Sequence, residues 1–342
     1  MDEYYAYDLS IQSEIDTRYM FTSSLKDKYV YEFDIKHNED PNLHSKSEPI
    51  PILSKESYFT LSSEYNMNHY EYFSNVYNAE LCDDEWMRSI YFLNSFYTHF
   101  IHNGILDIRS VHIDNSKGST IAAFNHFIFN SNVLDRYGIN WKWLTTSKNV
   151  LSDEYSIHNL KIIPSETDLV ILSDKISHRL SSFNLILIDN FKNCIIYAAL
   201  IANLMDENGM CYVRVPDVKN WNTHTINTIL LYSLMFEEVR LYKFESCKIY
   251  ILCKNLKRNM EKGRVYKKLV RILSKRFNPM EYNLFHEELF QIPELHKWLD
   301  NILHIISKYV DQCDVITCDV MCDSIFKKNI DILKINTNTL LI

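Results

Sequence analysis

Short apolar runs alternate with amphipathic stretches through the middle of this chain. From Trp86, the segment WMRSIYFLNSFYTHFIHNGI has apolar residues at helical spacing and ends at Asn103 and Gly104, a combination typical of a helix stop. Downstream, short apolar runs predict strands, and segments with helical spacing separate several of them. The predicted strands cover 111–114, 139–146, 160–164, 169–172, 184–190, 210–215, 238–245 and 248–256, and the predicted helices between them cover 119–130, 192–205 and 222–235.

This alternation predicts an α/β fold with a mostly parallel sheet covered by helices on both faces. The last two predicted strands follow one another without a helix, so we expect an antiparallel hairpin at one side of the sheet. Beyond them, amphipathic spacing predicts helices over 265–277, 281–290 and 294–310, and residues 328–342 are consistent with one more strand.

The pattern divides the chain into three parts. Residues 1–85 lack sustained periodicity and include the polar, proline-bearing segment 37–52, so we interpret them as an N-terminal extension that packs on something else. Residues 86–257 form the predicted α/β domain. Residues 258–342 form a helical C-terminal appendage.

Charge is distributed unevenly along the chain. The formal net charge of −8 argues against a protein that holds nucleic acid unaided, because that affinity comes largely from neutralised phosphates. Residues 1–87 carry 18 acidic and 6 basic side chains, whereas 240–276 carry 13 Lys or Arg against Glu245 and Glu261. The basic segment is either a solvated face or a contact surface for RNA or an acidic partner. The residues of this candidate surface are Lys254, Lys257, Arg258, Lys262, Arg264, Lys267, Lys268 and Arg271.

Metal-binding and membrane classes are disfavoured. The 8 cysteines include no CxxC pair and several have apolar neighbours, which favours buried free thiols over a zinc site, so we expect no metal. No apolar run approaches the roughly 20 residues that span a bilayer, and the N-terminus MDEYYAYDLS is acidic where a signal peptide is basic. We therefore expect a soluble, intracellular protein without a membrane partner.

The segment VHIDNSKGSTIAAF, residues 111–124, predicts a strand, a tight turn and a helix. A nucleotide-binding α/β fold has its cofactor loop at such a place, and the loop is usually rich in glycine because its backbone approaches the ligand. This turn contains only Gly118. It is either an ordinary connection from sheet to helix or a cofactor loop that has lost its binding chemistry.

Several stretches resemble RNA cap 2′-O-methyltransferases of the FtsJ-like type. LLYSLMFEEVRLYKFESCKIYILCKNLK (230–257) is similar to the end of their catalytic domain, and SKGSTIAAFNHFIFN (116–130) with INWKWLTT (139–146) is similar to the segment after their cofactor loop. HNGILDIRSVHID (102–114) resembles the lead into that loop. The resemblance covers about residues 86–257 and implies a Rossmann-like methyltransferase core.

The resemblance also assigns positions to the Lys-Asp-Lys-Glu tetrad of those enzymes, which deprotonates a ribose 2′-hydroxyl and holds it in line with a methyl sulfonium. The tetrad falls on Arg88, Asp189, Arg214 and Lys248. At the two lysine positions, the guanidinium groups of Arg88 and Arg214 stay protonated and cannot accept a proton. At the glutamate position, Lys248 replaces a negative charge with a positive one. Only Asp189 keeps its type, although Glu245 replaces the missing carboxylate if the loop before Lys248 is aligned differently.

The cofactor loop departs from the family in the same way. Where the family has a glycine and an Ala-Pro-Gly-Gly run facing S-adenosylmethionine, this chain has a vestigial loop of Asp114, Asn115, Ser116, Lys117 and Gly118. Residues 114–117 therefore carry side chains at loop positions where the family has glycines that expose the backbone to the cofactor. The resemblance therefore implies no catalytic residue and no cofactor, with S-adenosylmethionine as the cofactor if the site is active.

A second resemblance is to the small, non-catalytic subunit of poxvirus mRNA-capping enzymes, which binds and stimulates the guanine-N7 methyltransferase domain of the large subunit. CYVRVP (211–216), LLYSLMFEEVRLYK (230–243) and the helical stretch 277–310 are similar in order and spacing to segments of that subunit. This resemblance implies a heterodimer with a capping-enzyme large subunit, and a location in the cytoplasm of a host or in a virion.

Three hypotheses follow. The leading one is a degenerate methyltransferase fold that serves as a regulatory subunit in mRNA capping. The second is an active cap 2′-O-methyltransferase with an unusual site built from Asp189, Arg214, Glu245 and either Lys243 or Lys248. The third is a structural module that tethers RNA through the basic segment.

Overall fold

The computed structural model describes the central sheet, its helices and parts of the two terminal regions. The described residues are 6–13, 71, 73–75, 78–113, 118–130, 138–145, 182–189, 194–216, 221, 223–243, 249–258, 260–274, 285, 289 and 292–311. The strands among them are β1 (Ala6–Asp8), β2 (Asp107–Ile113), β3 (Asn140–Thr145), β4 (Phe183–Ile188), β5 (Met205–Val215), β6 (Phe236–Lys243) and β7 (Ile249–Leu256). The helices are α1 (Asp84–His102), α2 (Ser119–Asn130), α3 (Cys194–Leu204), α4 (Thr223–Met235), α5 (Lys262–Ser274) and α6 (Pro293–Asp311).

The strands form one sheet in the order β1-β6-β7-β5-β4-β2-β3. Strands β3, β2, β4 and β5 are parallel neighbours, whereas β7 is antiparallel to both β5 and β6. The predicted α/β class, the parallel strands and the antiparallel hairpin are therefore confirmed, and the described sheet is mixed, with three parallel and three antiparallel pairings. Strand β5 begins at Met205, earlier than predicted, because α3 ends at Leu204 and the chain turns directly into the sheet.

Both faces of the sheet are covered. Along β4, Ile186 and Ile188 pack into the core beneath α3 and α4, whereas Leu185 and Leu187 pack beneath α1 and α2. This strand is buried on both faces, which explains why its sequence FNLILI is apolar except for Asn184, whose side chain hydrogen-bonds to the backbone of β2. Helix α3 is apolar around its whole circumference because the sheet lies on one side and α5 packs against it on another.

The N-terminal residues belong to the sheet, which the sequence pattern did not predict. Strand β1 pairs antiparallel with β6, and Leu9 and Ile11 are buried in the core on the α3 side. The carboxylate of Glu294 in α6 accepts hydrogen bonds from the backbone amides of Gln12 and Ser13. Trp298 donates to the carbonyl of Leu9 at 3.2 Å. These contacts join the first described residues to the last helix.

The buried side chain of Lys257 also attaches the N-terminal residues, because it bonds them to the end of α4. Its Nζ donates to the carbonyl oxygen of Ile11 at 2.6 Å and to that of Ser233, near the end of α4, at 3.3 Å. Burial lowers the pKa of Lys257 to about 8, although the nearby carboxylates of Glu294 and Glu237 favour its charged form.

The proposed boundaries of the three parts remain predictions. Residues of α5 and α6, including Leu269 and Trp298, lie in the same core as the sheet. The predicted strands 160–164 and 169–172, the polar segment 37–52 and the terminal strand 328–342 lie outside the described residues, as does most of the predicted helix 281–290.

Candidate functional site

A pocket opens where the strand order changes direction. The chain runs from β2 outward to β3 on one side, and from β4 to β5 on the other, so the switch point lies between β2 and β4. Ligands of open α/β sheets bind outside the carboxyl ends of strands at such a point. The residues lining the pocket are Glu85, Arg88, Ser89, His112, Ile113, Thr120, Leu187, Ile188, Asp189, Tyr212 and Tyr250.

Strand alternation explains why these side chains meet. Tyr212 on β5 and Tyr250 on β7 belong to the core on the α1 side, and alternation places Arg214 on the same face as Tyr212. Arg214 and Tyr250 are also direct partners in the β5–β7 register. Arg88 comes from the first turns of α1, the helix that covers this face.

Two of the four tetrad positions, Arg88 and Asp189, line this pocket, and a third, Arg214, pairs with Asp189 beside it. The Nη1 atom of Arg214 lies 3.7 Å from Oδ1 of Asp189, and the Tyr250 hydroxyl donates to the same oxygen at 3.0 Å. The Arg88 guanidinium lies 5.7 Å from the centre of the Tyr250 ring and is 5% exposed. The fourth position, Lys248, and its alternative Glu245 lie outside the described residues.

Glu85 is a member of this site that the sequence analysis missed. Burial raises the pKa of its carboxyl to about 8, and a hydrogen bond to Asp189 and the negative charge of Asp189 act in the same direction. Its Oε2 atom is buried without a hydrogen-bond partner among the described atoms. Glu85 therefore holds its proton at neutral pH. The available signal was the acidic run Asp83-Asp84-Glu85 at the start of α1.

Two stacked tyrosines form the floor of the site. The rings of Tyr212 and Tyr250 are 4.4 Å apart and nearly parallel, with an interplanar angle of 4°. Burial raises the pKa of both hydroxyls, so both are neutral at physiological pH. Tyr250 can therefore act on Asp189 only as a hydrogen-bond donor.

The helix that follows the predicted cofactor loop is tied to α1. Residues 114–117 of the loop lie outside the described residues. Gly118 has φ of 84°, a conformation that favours glycine, and Ser119 then begins α2. The Ser119 hydroxyl donates to Oδ2 of Asp83 at 2.7 Å, while Oδ1 of Asp83 caps α1 by accepting from the amides of Glu85 and Trp86. One carboxylate thus links the first turns of both helices.

His112 is a structural residue of the pocket wall. It is fully buried, and burial lowers its pKa to about 3. Its Nε2 lies 3.1 Å from the Ser110 hydroxyl, which accepts a hydrogen bond from the Trp141 indole at 2.9 Å. Among the described residues no cluster of His, Cys, Asp or Glu has the geometry of a metal site.

The pocket between the described residues is narrow. Its cavity volume, measured for the centre of a water molecule, is only about 10 Å³. This is the room that roughly one water molecule needs.

The candidate basic surface separates into two groups. Lys257 is bonded inside the protein, the Nζ of Lys262 donates to the carbonyl of Met205, and Lys254 pairs with Glu238 at 3.2 Å. The others lie at or near the surface, and they are Arg258, Arg264, Lys267, Lys268 and Arg271.

None of the described helices is both long and apolar enough to cross a membrane. Cys211 and Cys253 are free, buried thiols at directly opposite positions of β5 and β7. The prediction of buried free thiols is confirmed for these two cysteines.

Solved structures with a similar fold are methyltransferases of low sequence identity. Fibrillarin from Aeropyrum pernix, solved with natively bound S-adenosyl-L-methionine, is 13% identical over 43% of this chain and 66% of its own, with a TM-score of 0.32. A SAM-dependent methyltransferase from Archaeoglobus fulgidus is 10% identical over 55% of this chain and 100% of its own, with a TM-score of 0.32. The carbon methyltransferase DszA is 14% identical over 54% of this chain and 57% of its own, with a TM-score of 0.36.

No family model and no curated protein matches the chain. The likeness to solved structures concerns the fold alone, and the strand order and register carry the assignment. The fold is a Rossmann-like α/β core, in which the parallel strands β3, β2, β4 and β5 are followed by the antiparallel strands β7 and β6.

Proposed function

We propose that this chain is the non-catalytic subunit of a viral-type mRNA-capping enzyme, which binds the large subunit and stimulates its cap guanine-N7 methyltransferase. The observation that carries the proposal is the chemistry around Asp189. Both positions that match the family's lysines are arginines, Arg88 and Arg214, and a guanidinium cannot accept a proton at physiological pH. A tetrad of this composition lacks the adjustable lysine that the 2′-hydroxyl reaction needs.

The contacts inside the pocket support the proposal that this site has no catalytic activity. Asp189 is engaged by Arg214, Tyr250 and Glu85, and Asp83 is engaged by Ser119 and the start of α1. Hydrogen bonds and ion pairs among side chains of the site stabilise the fold without requiring a ligand. Such a site is what we expect where the scaffold is retained for binding a partner.

The choice of partner rests on the resemblance of 211–216, 230–243 and 277–310 to the small capping subunit. In this protein the first of these forms the end of β5, and the second runs from α4 into β6. Both contribute buried residues to one core, so the resemblance concerns residues that shape the fold. The function as a stimulatory subunit follows from that resemblance and not from a ligand.

Co-expression tests this function directly. The chain should co-purify with the large subunit of a capping enzyme from the same source, and cap N7 methylation by the large subunit should rise when the chain is added. The isolated chain should show no micromolar binding of S-adenosylmethionine by calorimetry. A large subunit that is equally active alone and does not retain the chain would refute the proposal.

A second candidate is favoured by Glu85. Its pKa of about 8 lies near the pH at which a general base works best, and the carboxyl group lines the pocket beside Asp189. In an active 2′-O-methyltransferase, the ionised form of Glu85, whose share grows as the pH approaches 8, would accept the ribose proton while Arg88 and Arg214 hold the substrate by charge. Transfer of labelled methyl to capped RNA, abolished by Glu85→Gln, would establish this activity. Absence of transfer with the isolated chain and with the co-purified complex would exclude it.

A further inference from the structure

Helix α5 presents a stripe of positive charge to solvent. Val265, Leu269 and Ile272 are buried in the core on the α3 side of the sheet. Arg264, Lys267, Lys268 and Arg271 have the spacing of one helical stripe on another side, and they follow the i, i+3, i+4, i+7 pattern. At a rise of about 1.5 Å per residue the stripe is roughly 10 Å long. We call these four residues the α5 stripe.

The α5 stripe is electrostatically unfavourable for an isolated protein. Helix α5 contains no acidic residue, and it carries like charges at i, i+4 in the pairs Arg264–Lys268 and Lys267–Arg271. Such pairs destabilise a helix. Lys262 and Arg264 also lie in the first turn, where the helix dipole disfavours cations. Glu261, just before the helix, lies 3.0 Å from Arg264 and offsets part of this repulsion at one end of the stripe.

Elsewhere in the described part of the chain, basic side chains are interspersed with acids. Lys254 and Arg240 pair with Glu238, and Arg109 pairs with Asp206. The whole chain has 44 acidic residues against 36 Lys and Arg, so a helix with basic residues and no acid is not a consequence of its composition. A polyanion would relieve the repulsion along α5.

The surface chemistry favours nucleic acid over protein as that polyanion. Protein interfaces have an apolar core with a few large anchoring side chains. Among the described residues, the large apolar side chains that are exposed are Leu106 and Leu303, and neither is on α5. Phosphate backbones, in contrast, are bound mainly through Lys and Arg.

We propose that the α5 stripe binds the phosphate backbone of single-stranded RNA without reading its sequence. The pocket lies on the α1 side of the sheet and α5 on the α3 side, so this binding does not depend on the pocket, and only its role within a capping assembly rests on the function proposed above. The stripe would hold RNA near the assembly and would add to the affinity of whichever subunit reads the cap.

The test uses the full chain, fluorescently labelled oligouridine and salt titrations read by fluorescence anisotropy. With four phosphates neutralised, single-strand binding weakens with a log–log slope of about −2.8, or roughly 50-fold between 50 and 200 mM salt. Lys267→Gln/Lys268→Gln should reduce the slope to about −1.4, or roughly sevenfold over the same range. Its thermal midpoint should be at least as high as that of the wild type, because repulsion is removed.

The matched control is Lys142→Gln/Lys297→Gln, which removes the same charge from exposed positions of β3 and α6. It should bind RNA like the wild type. An equal loss in this control would show that only net charge matters and would overturn the proposal. So would an absence of binding at 50 mM salt, or displacement of the RNA by oligoglutamate as effective as displacement by unlabelled oligouridine, which would assign the stripe to an acidic protein segment.

Discussion

Replacing Glu85 with Gln should make the protein more stable above neutral pH, although it removes an ionisable residue from a pocket. The folded-state pKa of Glu85 is about 8 against an ordinary value of 4.5. Between these values the folded protein binds a proton that the unfolded chain has released, so stability falls as pH rises. The glutamine amide would imitate the protonated carboxyl group and can still donate a hydrogen bond to Asp189.

The magnitude follows from the shift. The contribution of Glu85 to the free energy of unfolding should fall by about 4 kcal/mol between pH 4.5 and 8. This figure uses 1.36 kcal/mol per pH unit and allows for incomplete titration near the two pKa values. Burial lowers the pKa of His112 to about 3 and of His126 to about 4, and these groups make stability rise with pH until about 6.5. Lys257, whose pKa burial lowers to about 8, makes stability rise mainly above pH 8. Between pH 6.5 and 8 the Glu85 contribution should fall by about 1–2 kcal/mol, while His112, His126 and Lys257 together return roughly 1 kcal/mol, so the difference in stability between Glu85→Gln and the wild type should widen by about 1–2 kcal/mol.

Urea unfolding followed by tryptophan fluorescence at four pH values across this window measures the effect. The wild-type midpoint should fall slightly with pH, whereas that of Glu85→Gln should rise, because the histidines and Lys257 then act without the opposing effect of Glu85. Glu207→Gln, a change at an exposed carboxylate of β5, should keep the wild-type slope. Parallel curves for the wild type and Glu85→Gln would refute the inference that Glu85 is held protonated in the pocket.

Two other substitutions, measured by urea unfolding, test the hydrogen bonds of Lys257 and the backbone conformation of Gly118. Lys257→Met leaves the carbonyls of Ile11 and Ser233 without their donor, so we expect a loss of about 1–3 kcal/mol, and an unchanged midpoint would contradict the proposed attachment of the N-terminal residues. Gly118→Ala, at φ of 84°, should cost roughly 1–2 kcal/mol. The control is Gly263→Ala in the exposed first turn of α5, where a Cβ meets no atom within 4 Å, and it should be neutral or stabilising by up to about 1 kcal/mol. Equal losses at the two glycines would show that strain at Gly118 is not the cause.

The sheet could be predicted from sequence because its strands carry a local signal. FNLILI, apart from Asn184, and the first five residues of IYILCKNL are apolar on both faces, and no tertiary information is needed to recognise such buried strands. Strand β1 has three residues, AYD, which is too short for any periodicity to appear. Its place at the sheet edge depends on contacts with Glu294 and Trp298, nearly 300 positions away in the chain, and such contacts leave no local pattern.

The candidate site was predictable only in part for the same reason. A family resemblance located Arg88, Asp189 and Arg214, and in the structure Arg88 and Asp189 line one pocket while Arg214 pairs with Asp189. Glu85 was missed because an acidic residue at a helix start usually has a capping or dipole role. What distinguishes it is burial against Asp189, which arises from the packing of α1 on the sheet. Lys257 was grouped with the basic surface because its charge is visible in the sequence and its burial is not.

The contacts of Asp189 give this position a structural role in the proposed non-catalytic subunit. Its side chain joins the end of β4 to Arg214 on β5 and Tyr250 on β7, and through Glu85 it joins all three strands to α1. A group that is bonded to four elements of the fold contributes to stability in the absence of substrate, and the same bonds oppose the rearrangement that turnover requires. Retention of Asp189 alone, with arginine at both neighbouring positions, is therefore what selection for a stable partner-binding scaffold would leave.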